Sequence, residues 1–318
     1  MRPTRFLPIL CLLLLAAPVL GRAEEKLTVR IGYQKYGTML LLKESGALDA
    51  TLKAQGVAVE WREFPAGPQL LEALNVGAID FGTTGEAPPI FAQAAGAPLV
   101  YVSVEPPAPH GEAILVPKDS PIHSVAELKG RKVALNKGAN VHYLLVRVLE
   151  DAGLSYTDIQ PVYLAPADAR AAFEQGAVDA WAIWDPYFAA AAASTGARIL
   201  ADGVKADGTL LAANHEFQLA ARKFHTAHTA LVSTIVAALK DAETRLHDNP
   251  AEAARLLSPR TGIPVPILET AFSRMGYGVE PISPEIAADQ QRIADTFQSL
   301  GLIPRHISIA DALPGSGS

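Results

Sequence analysis

One pattern limits what this chain can fold into more than any other. Short β-rich runs alternate with helical stretches, the alternation stops at a stiff proline segment, and then it starts again. The first strands are expected at Leu27–Tyr33, Val57–Phe64, Ala78–Thr83 and Leu99–Glu105. Between them lie helical stretches around Thr38–Ala54, over Gly67–Asn75 with Leu70, Leu71 and Leu74 at helical spacing, and over Glu86–Ala95. Strands joined by helices pair in parallel and are covered on both faces, because the crossover must carry the chain back to the edge where it started. Glu105-Pro106-Pro107-Ala108-Pro109 can neither continue a helix nor sit in a central strand, since proline lacks the N–H that either would use.

Beyond that segment, strands are expected at Ala113–Val116, Lys132–Asn136, Pro161–Leu164, Val178–Trp184 and Arg198–Ala201. Helices are expected at Val125–Lys129, with Ser124 and Glu127 as a capping box and Gly130 as its stop, then from about Val141 to Asp151, at Asp168–Gln175 and at Phe188–Ala193. From about Gly208 the chain offers one apolar run, Leu210–Ala213, and a strand at Glu216–Ala220. The rest is helical: Leu231, Ile235 and Leu239 share a face, and Asn249-Pro250 and Ser283-Pro284 open later helices. A helical tail of this kind needs a sheet to pack on. The expected fold class is therefore α/β with two lobes, each a mostly parallel sheet flanked by helices, and a cleft between them. Lobe one takes residues 24–107 together with 208–318, and lobe two takes 108–207. The chain crosses between lobes twice, which is a hinge arrangement; two independent domains in series are the alternative.

The first residues read as an address. Arg2 and Arg5 precede an apolar run from Phe6 to Leu20, and Gly21-Arg22-Ala23 follows, which is the layout of a cleaved secretory signal peptide over residues 1–23. The run is shorter than the roughly 20 residues of a membrane span. Cleavage after Ala23 removes three arginines and takes the formal charge from −6 to −9. It also removes Cys11, the one cysteine, which follows Leu10 where a lipoprotein signal would want a small residue. The mature chain is then exported without a disulfide, so its stability rests on packing. A thiol nucleophile and a thiolate-bound metal are excluded. Hydrophobic residues at 49% supply an ample core, and an acidic balance with no basic run argues against nucleic acid as a partner.

In open parallel sheets, ligands sit beyond the carboxyl ends of strands, where helix starts present free N–H groups. Four such turns can be read. In Tyr33-Gln34-Lys35-Tyr36-Gly37-Thr38, Gly37 lets the backbone approach a ligand and Thr38 can cap the next helix. Thr83-Thr84-Gly85-Glu86-Ala87-Pro88-Pro89 joins hydroxyls and a glycine to prolines suited to a helix's first turn. Asn136-Lys137-Gly138-Ala139-Asn140 has the build of an anion cradle, with His142 one turn into the helix that follows. Trp181-Ala182-Ile183-Trp184-Asp185-Pro186 ends a strand in an aromatic, an acid and a proline. Each turn alone is an ordinary connection. Their agreement carries the argument, because two fall in each lobe, all at the same end of their strands.

Such a cleft suits a small anion. A helix start is worth about 0.3–1 kcal/mol to an anion, up to about 2 when partly buried. Hydrogen bonds to a charged group add about 1.5–3 kcal/mol each. Micromolar binding needs about 8 kcal/mol, so apolar burial supplies much of the rest, and Trp184 can roof a short alkyl chain or pack in the core. Trp181, mid-strand, is expected in the core. Glu86 and Asp185 read either as helix-start caps or as partners of a ligand amine, and Lys35 and Lys137 as solvated or ligand-facing. No P-loop, G-x-S-x-G, H-E-x-x-H or G-x-G-x-x-G occurs, and His225 and His228 lack a third ligand, so neither a metal nor a cofactor is expected.

Several stretches together resemble the aliphatic sulfonate-binding proteins of ABC transporters: Ile31–Gly37, Glu63–Gln69, Thr84–Pro89, Ala134–Gly138, Trp184-Asp185-Pro186 and Gln290–Asp295. Related branches bind taurine, nitrate or thiamin-precursor pyrimidines. The resemblance spans about 27–311 and implies a periplasmic, hinge-closing, monomeric binding protein of the periplasmic binding protein fold, which delivers an alkanesulfonate to an inner-membrane permease. It implies that the sulfonate meets Gln34, Thr84-Gly85 and the Gly138–Asn140 turn, with Trp184 lining the cleft. Gly203–Thr209 is longer than the family pattern. An enzyme on the same fold is the reading from another class; relatives of that kind use a cysteine, which the mature chain lacks.

Overall fold

The computed structural model describes residues 27–315; the expected signal peptide lies outside the described residues. The chain runs through β1 (Thr28–Tyr33), α1 (Thr38–Ser45), α2 (Ala47–Ala54), β2 (Ala58–Glu63), α3 (Gly67–Asn75), β3 (Phe81–Gly85), α4 (Ala87–Ala94) and β4 (Leu99–Val104). A first connection leads to β5 (Glu112–Val116), β6 (Lys132–Leu135), α5 (Asn140–Asp151), β7 (Gln160–Tyr163), α6 (Pro166–Glu174), β8 (Ala180–Trp184), α7 (Tyr187–Thr195) and β9 (Arg198–Asp202). A second connection returns the chain to β10 (Glu216–Ala221) and then α8 (Arg222–Ala227), α9 (Thr229–Asp248), α10 (Pro250–Thr261), α11 (Val265–Phe272) and α12 (Pro284–Ser299).

The strands form two sheets of five, ordered β2-β1-β3-β10-β4 and β7-β6-β8-β5-β9. In each, four strands run one way and the strand that follows a connection, β10 or β5, runs against them. The reason is geometric. The parallel strands end at the junction between the lobes, and a strand entering from that junction starts where they finish. Glu216 accordingly pairs with Gly85, and Glu112 with Trp184.

Helices cover both faces of each sheet. Leu40, Leu42, Ile235, Leu239 and Leu257 pack on one face of the first sheet. Leu70, Ile90, Ile293 and Phe297 pack on the other. The second sheet lies between Leu144, Leu145 and Val148 on one side and Phe173 and Phe188 on the other, with Trp181 fully buried there.

Two local expectations change. The stretch over Thr38–Ala54 is two helices, because Gly46 adopts φ 65° and stops the first. The segment Val125–Leu128 is a 3-10 turn, with the Ser124–Glu127 capping box in place. The apolar run Leu210–Ala213 lies in the second connection, where Leu210 makes a single bridge to Val204. Among the described residues no helix is long and apolar enough to cross a membrane.

Candidate ligand-binding site

The turns after β1, β3, β6 and β8 converge between the two sheets on a cavity of about 110 Å³. Gly37, at φ 85°, takes the cap position of α1, and nothing lies within 4 Å of where a Cβ would stand. Thr38 is therefore the first residue of α1 rather than its cap. Its hydroxyl is buried beside the cavity without a partner, as are those of Tyr36 and Thr83. Gln34 lines the wall and donates to the Thr83 carbonyl at 3.4 Å. Gly85, Ala139, Asn140, Trp184 and Asp185 complete the expected residues that the structure brings together. Trp184 stands half-buried, edge-on to Tyr187.

Asn140 works differently from its expected role. Ala139 holds the cap position of α5, and the Asn140 side chain crosses from lobe two to lobe one. Its Oδ1 accepts from the Ala87 N–H at 3.3 Å, and its Nδ2 donates to Asn214 Oδ1 at 2.6 Å. Asn214, at φ 53°, donates in turn to the Ala108 carbonyl at 2.9 Å. The two connections are also laced by Ala108 N–H to the Ala213 carbonyl at 2.9 Å and Gly203 N–H to the Pro109 carbonyl at 3.0 Å. One asparagine thus joins both lobes and, through Asn214, the hinge.

Five expected residues do not line the cavity. Thr83 and Thr84 alternate across the strand, so only one can face it. Thr84 turns its hydroxyl to the Gly85 carbonyl at 3.1 Å. Glu86 is buried away from the cavity and binds the His215 N–H through Oε2 at 3.0 Å; it makes no side-chain cap. Lys137 is exposed, its Nζ 5.4 Å from the centre of the Tyr163 ring. Gly138 faces Phe91. His142 is fully buried against Phe91, Tyr156 and Phe297, accepts from the Gly138 N–H at 3.2 Å, and is held down to about 4 by burial and by Lys137. Asp185 serves the start of α7 by accepting from the Ala189 N–H at 3.1 Å. Lys35 is exposed and pairs with Glu63 at 3.3 Å.

The helical tail supplies a wall that local sequence patterns do not mark. Arg274 follows α11 and grips Asp185 with two bonds, Nε to Oδ2 at 2.7 Å and Nη2 to Oδ1 at 2.8 Å, with its guanidinium 4.2 Å from the centre of the Phe188 ring. Met275 and Gly276 continue the wall. Glu105 and Glu216 also line it, and these two did carry a usable clue, since they flank the expected crossovers. Burial pushes Glu216 up to about 8 and Glu105 well above the ordinary range, so both hold a charge beside an anion less readily than free carboxylates do. Among the described residues no group of three His, Cys, Asp or Glu is placed to hold a metal ion.

The site therefore offers hydroxyls, an amide and the starts of two helices around one small interlobe space. Known proteins share this fold. A family model for NMT1/THI5-like proteins matches residues 52–253. The chain is 48% identical over 282 residues, 88% of its own length and 86% of the relative's, to the "Putative aliphatic sulfonates-binding protein" of Escherichia coli (strain K12). The structure of the alkanesulfonate-binding protein SsuA from Xanthomonas axonopodis pv. citri, bound to MOPS, matches with a TM-score of 0.84 at 43% identity, covering 90% of this chain and 97% of that one. The periplasmic aliphatic sulphonate binding protein SsuA from Escherichia coli matches with a TM-score of 0.80 at 46% identity, covering 92% and 93%. The chain therefore belongs to the NMT1/THI5-like family and, within it, to the group of the aliphatic sulfonate-binding proteins.

Proposed function

We propose that this protein is the substrate-binding component of an ABC importer. It captures an aliphatic sulfonate in the periplasm by hinge closure and hands it to an inner-membrane permease. The observation that carries this reading is the convergence of the buried, unpartnered hydroxyls of Tyr36, Thr38 and Thr83 with the starts of α1 and α5 on one interlobe cavity. A sulfonate carries one fixed charge and no proton near neutrality, so its site needs donors and helix starts rather than a base. Gln34, Gly37, Thr38, Thr83, Gly85 and the Ala139–Asn140 backbone hold the head group, and Trp184 covers the alkyl chain. The protein acts as a monomer after removal of residues 1–23. The relatives named above are binding proteins, and no turnover of ligand is expected.

Glu105 and Glu216 on the wall favour a second reading, in which the ligand also carries an amine, as taurine does, and its positive charge draws these carboxyls back to the ionised form. A melting-temperature screen over ethanesulfonate, longer alkanesulfonates, taurine, nitrate, sulfate and phosphate decides. At a hundredfold excess over Kd the right ligand adds about 2.7 kcal/mol of stability, several degrees for a chain of this size. A flat response to every one of these compounds would refute both readings.

A further inference from the structure

Three glutamates lie near the junction of the two lobes and the second connection. Glu112 opens β5 in lobe two; it is fully buried, and neither carboxyl oxygen has a hydrogen-bond partner. Its charge would be felt by Glu86, at the start of α4 in lobe one, and by Glu216, the first residue of β10. Glu86 is 1% exposed, and its Oε1 is buried without a partner while Oε2 is held by the His215 N–H.

The basic groups around them are committed elsewhere. Arg274 is locked on Asp185, Arg147 of α5 on Glu150, Arg292 of α12 on Asp289, and His110 on Asp202. The His215 ring bonds the Glu105 carbonyl through Nδ1 at 2.8 Å. The other titratable neighbours add no positive charge: Asp202 from β9, Glu105 beyond β4, Asp289 from α12 and Tyr143 from α5.

Ionised, Glu112 and Glu86 would be buried carboxylates with oxygens left unpaired, the state that burial penalises most, while Glu216, partly buried, adds like charge beside them. Protonated, they lose that charge and gain a donor. Burial accordingly pushes Glu86 up to about 7, Glu216 up to about 8, and Glu112 well above the carboxylate range. Glu86 and Glu112 belong to different lobes, so parting the lobes admits water and restores ordinary carboxylates.

Resting on the reading of the chain as a hinge-closing anion binder, we propose that the closed form binds a second ligand, the proton, at this triad. Glu86, Glu112 and Glu216 take up protons as the lobes close on the anion and release them as the lobes part. The sign follows from the burial. The closed-state values lie above the open-state ones, so protons favour closure, and affinity falls as pH rises from the ordinary carboxylate range through the closed-state values.

The test adds ethanesulfonate to the purified protein in weakly buffered solution at pH 6.5, read with a pH electrode. Ethanesulfonate does not titrate there, so any proton taken from solution goes to the protein. The expected result is uptake of about one proton or more per ligand bound, with Kd rising up to about tenfold per pH unit for each proton between pH 6 and 8. Glu112→Gln is expected to bind with about one proton fewer, and Glu86→Gln gives a second reading of the same loss should the first variant not fold. Binding without uptake and with a pH-independent Kd overturns the proposal and leaves the anion reading intact. Undiminished uptake in the variants overturns the assignment to these residues, and absence of binding overturns both.

Discussion

The sharpest perturbation of closure is one methyl group, Gly85→Ala. A Cβ at residue 85 would stand 2.0 Å from Asn140 Nδ2, 2.1 Å from Oδ1 and 2.2 Å from Cγ, so the asparagine must leave its place. Leaving breaks the bonds to the Ala87 N–H and to Asn214 Oδ1. Each neutral hydrogen bond is worth about 0.5–1.5 kcal/mol net, so closure loses about 1–3 kcal/mol and ligand affinity falls about 5- to 150-fold. Each lobe keeps its own core, so the ligand-free melting temperature should hardly move. Calorimetry with ethanesulfonate measures the loss. A double-mutant cycle isolates its cause, because in Asn140→Ala the side chain that the methyl group meets is already gone. Gly85→Ala added to Asn140→Ala should therefore cost little more than Asn140→Ala alone. Strictly additive losses, or a Gly85→Ala variant that binds as tightly as the parent, would refute a clash-driven opening.

Three further outcomes are expected. Trp184→Ala should weaken longer alkanesulfonates by about tenfold, at about 0.8 kcal/mol for each of two methylenes no longer covered, and leave sulfate unaffected; a Kd series over chain length checks this. Arg274→Gln leaves Asp185, 4% exposed, without its cation and should cost about 3–5 kcal/mol in thermal unfolding at pH 7, and less at pH 4, where Asp185 can take a proton. His142 is held down to about 4 by burial, below its ordinary value of about 6.5. The unfolded chain therefore binds a proton that the folded one refuses, and stability falls by up to about 1.4 kcal/mol per pH unit as pH drops from about 6.5 to 4. His142→Phe should flatten that part of a melting-temperature profile.

Most of the architecture was legible because strand and helix periodicities differ and glycines punctuate them. Gly67–Asn75 is a helix with the expected bounds, and the Pro106–Pro109 segment does mark the first passage between sheets. At the site, the turns were legible and the facing of side chains was not. Thr83 and Thr84 differ by one residue and by opposite sides of a strand, which no local composition reveals. His142 lies two residues past Asn140, a rotation of about 200° on a helix, enough to carry it from the cleft into the core. Arg274 and Asn214 were invisible for another reason. They reach the cavity through the packing of distant segments, and neither sits in a turn that announces a ligand.

The lacing of the two connections has a mechanical consequence. Two strands of backbone bonded side by side through Ala108, Ala213, Pro109 and Gly203 behave as one flat ribbon. A ribbon bends easily out of its plane and resists bending within it. The relative motion of the halves is thereby reduced to a single rotation about one axis, and a membrane partner touching both halves at once could read ligand occupancy as one angle.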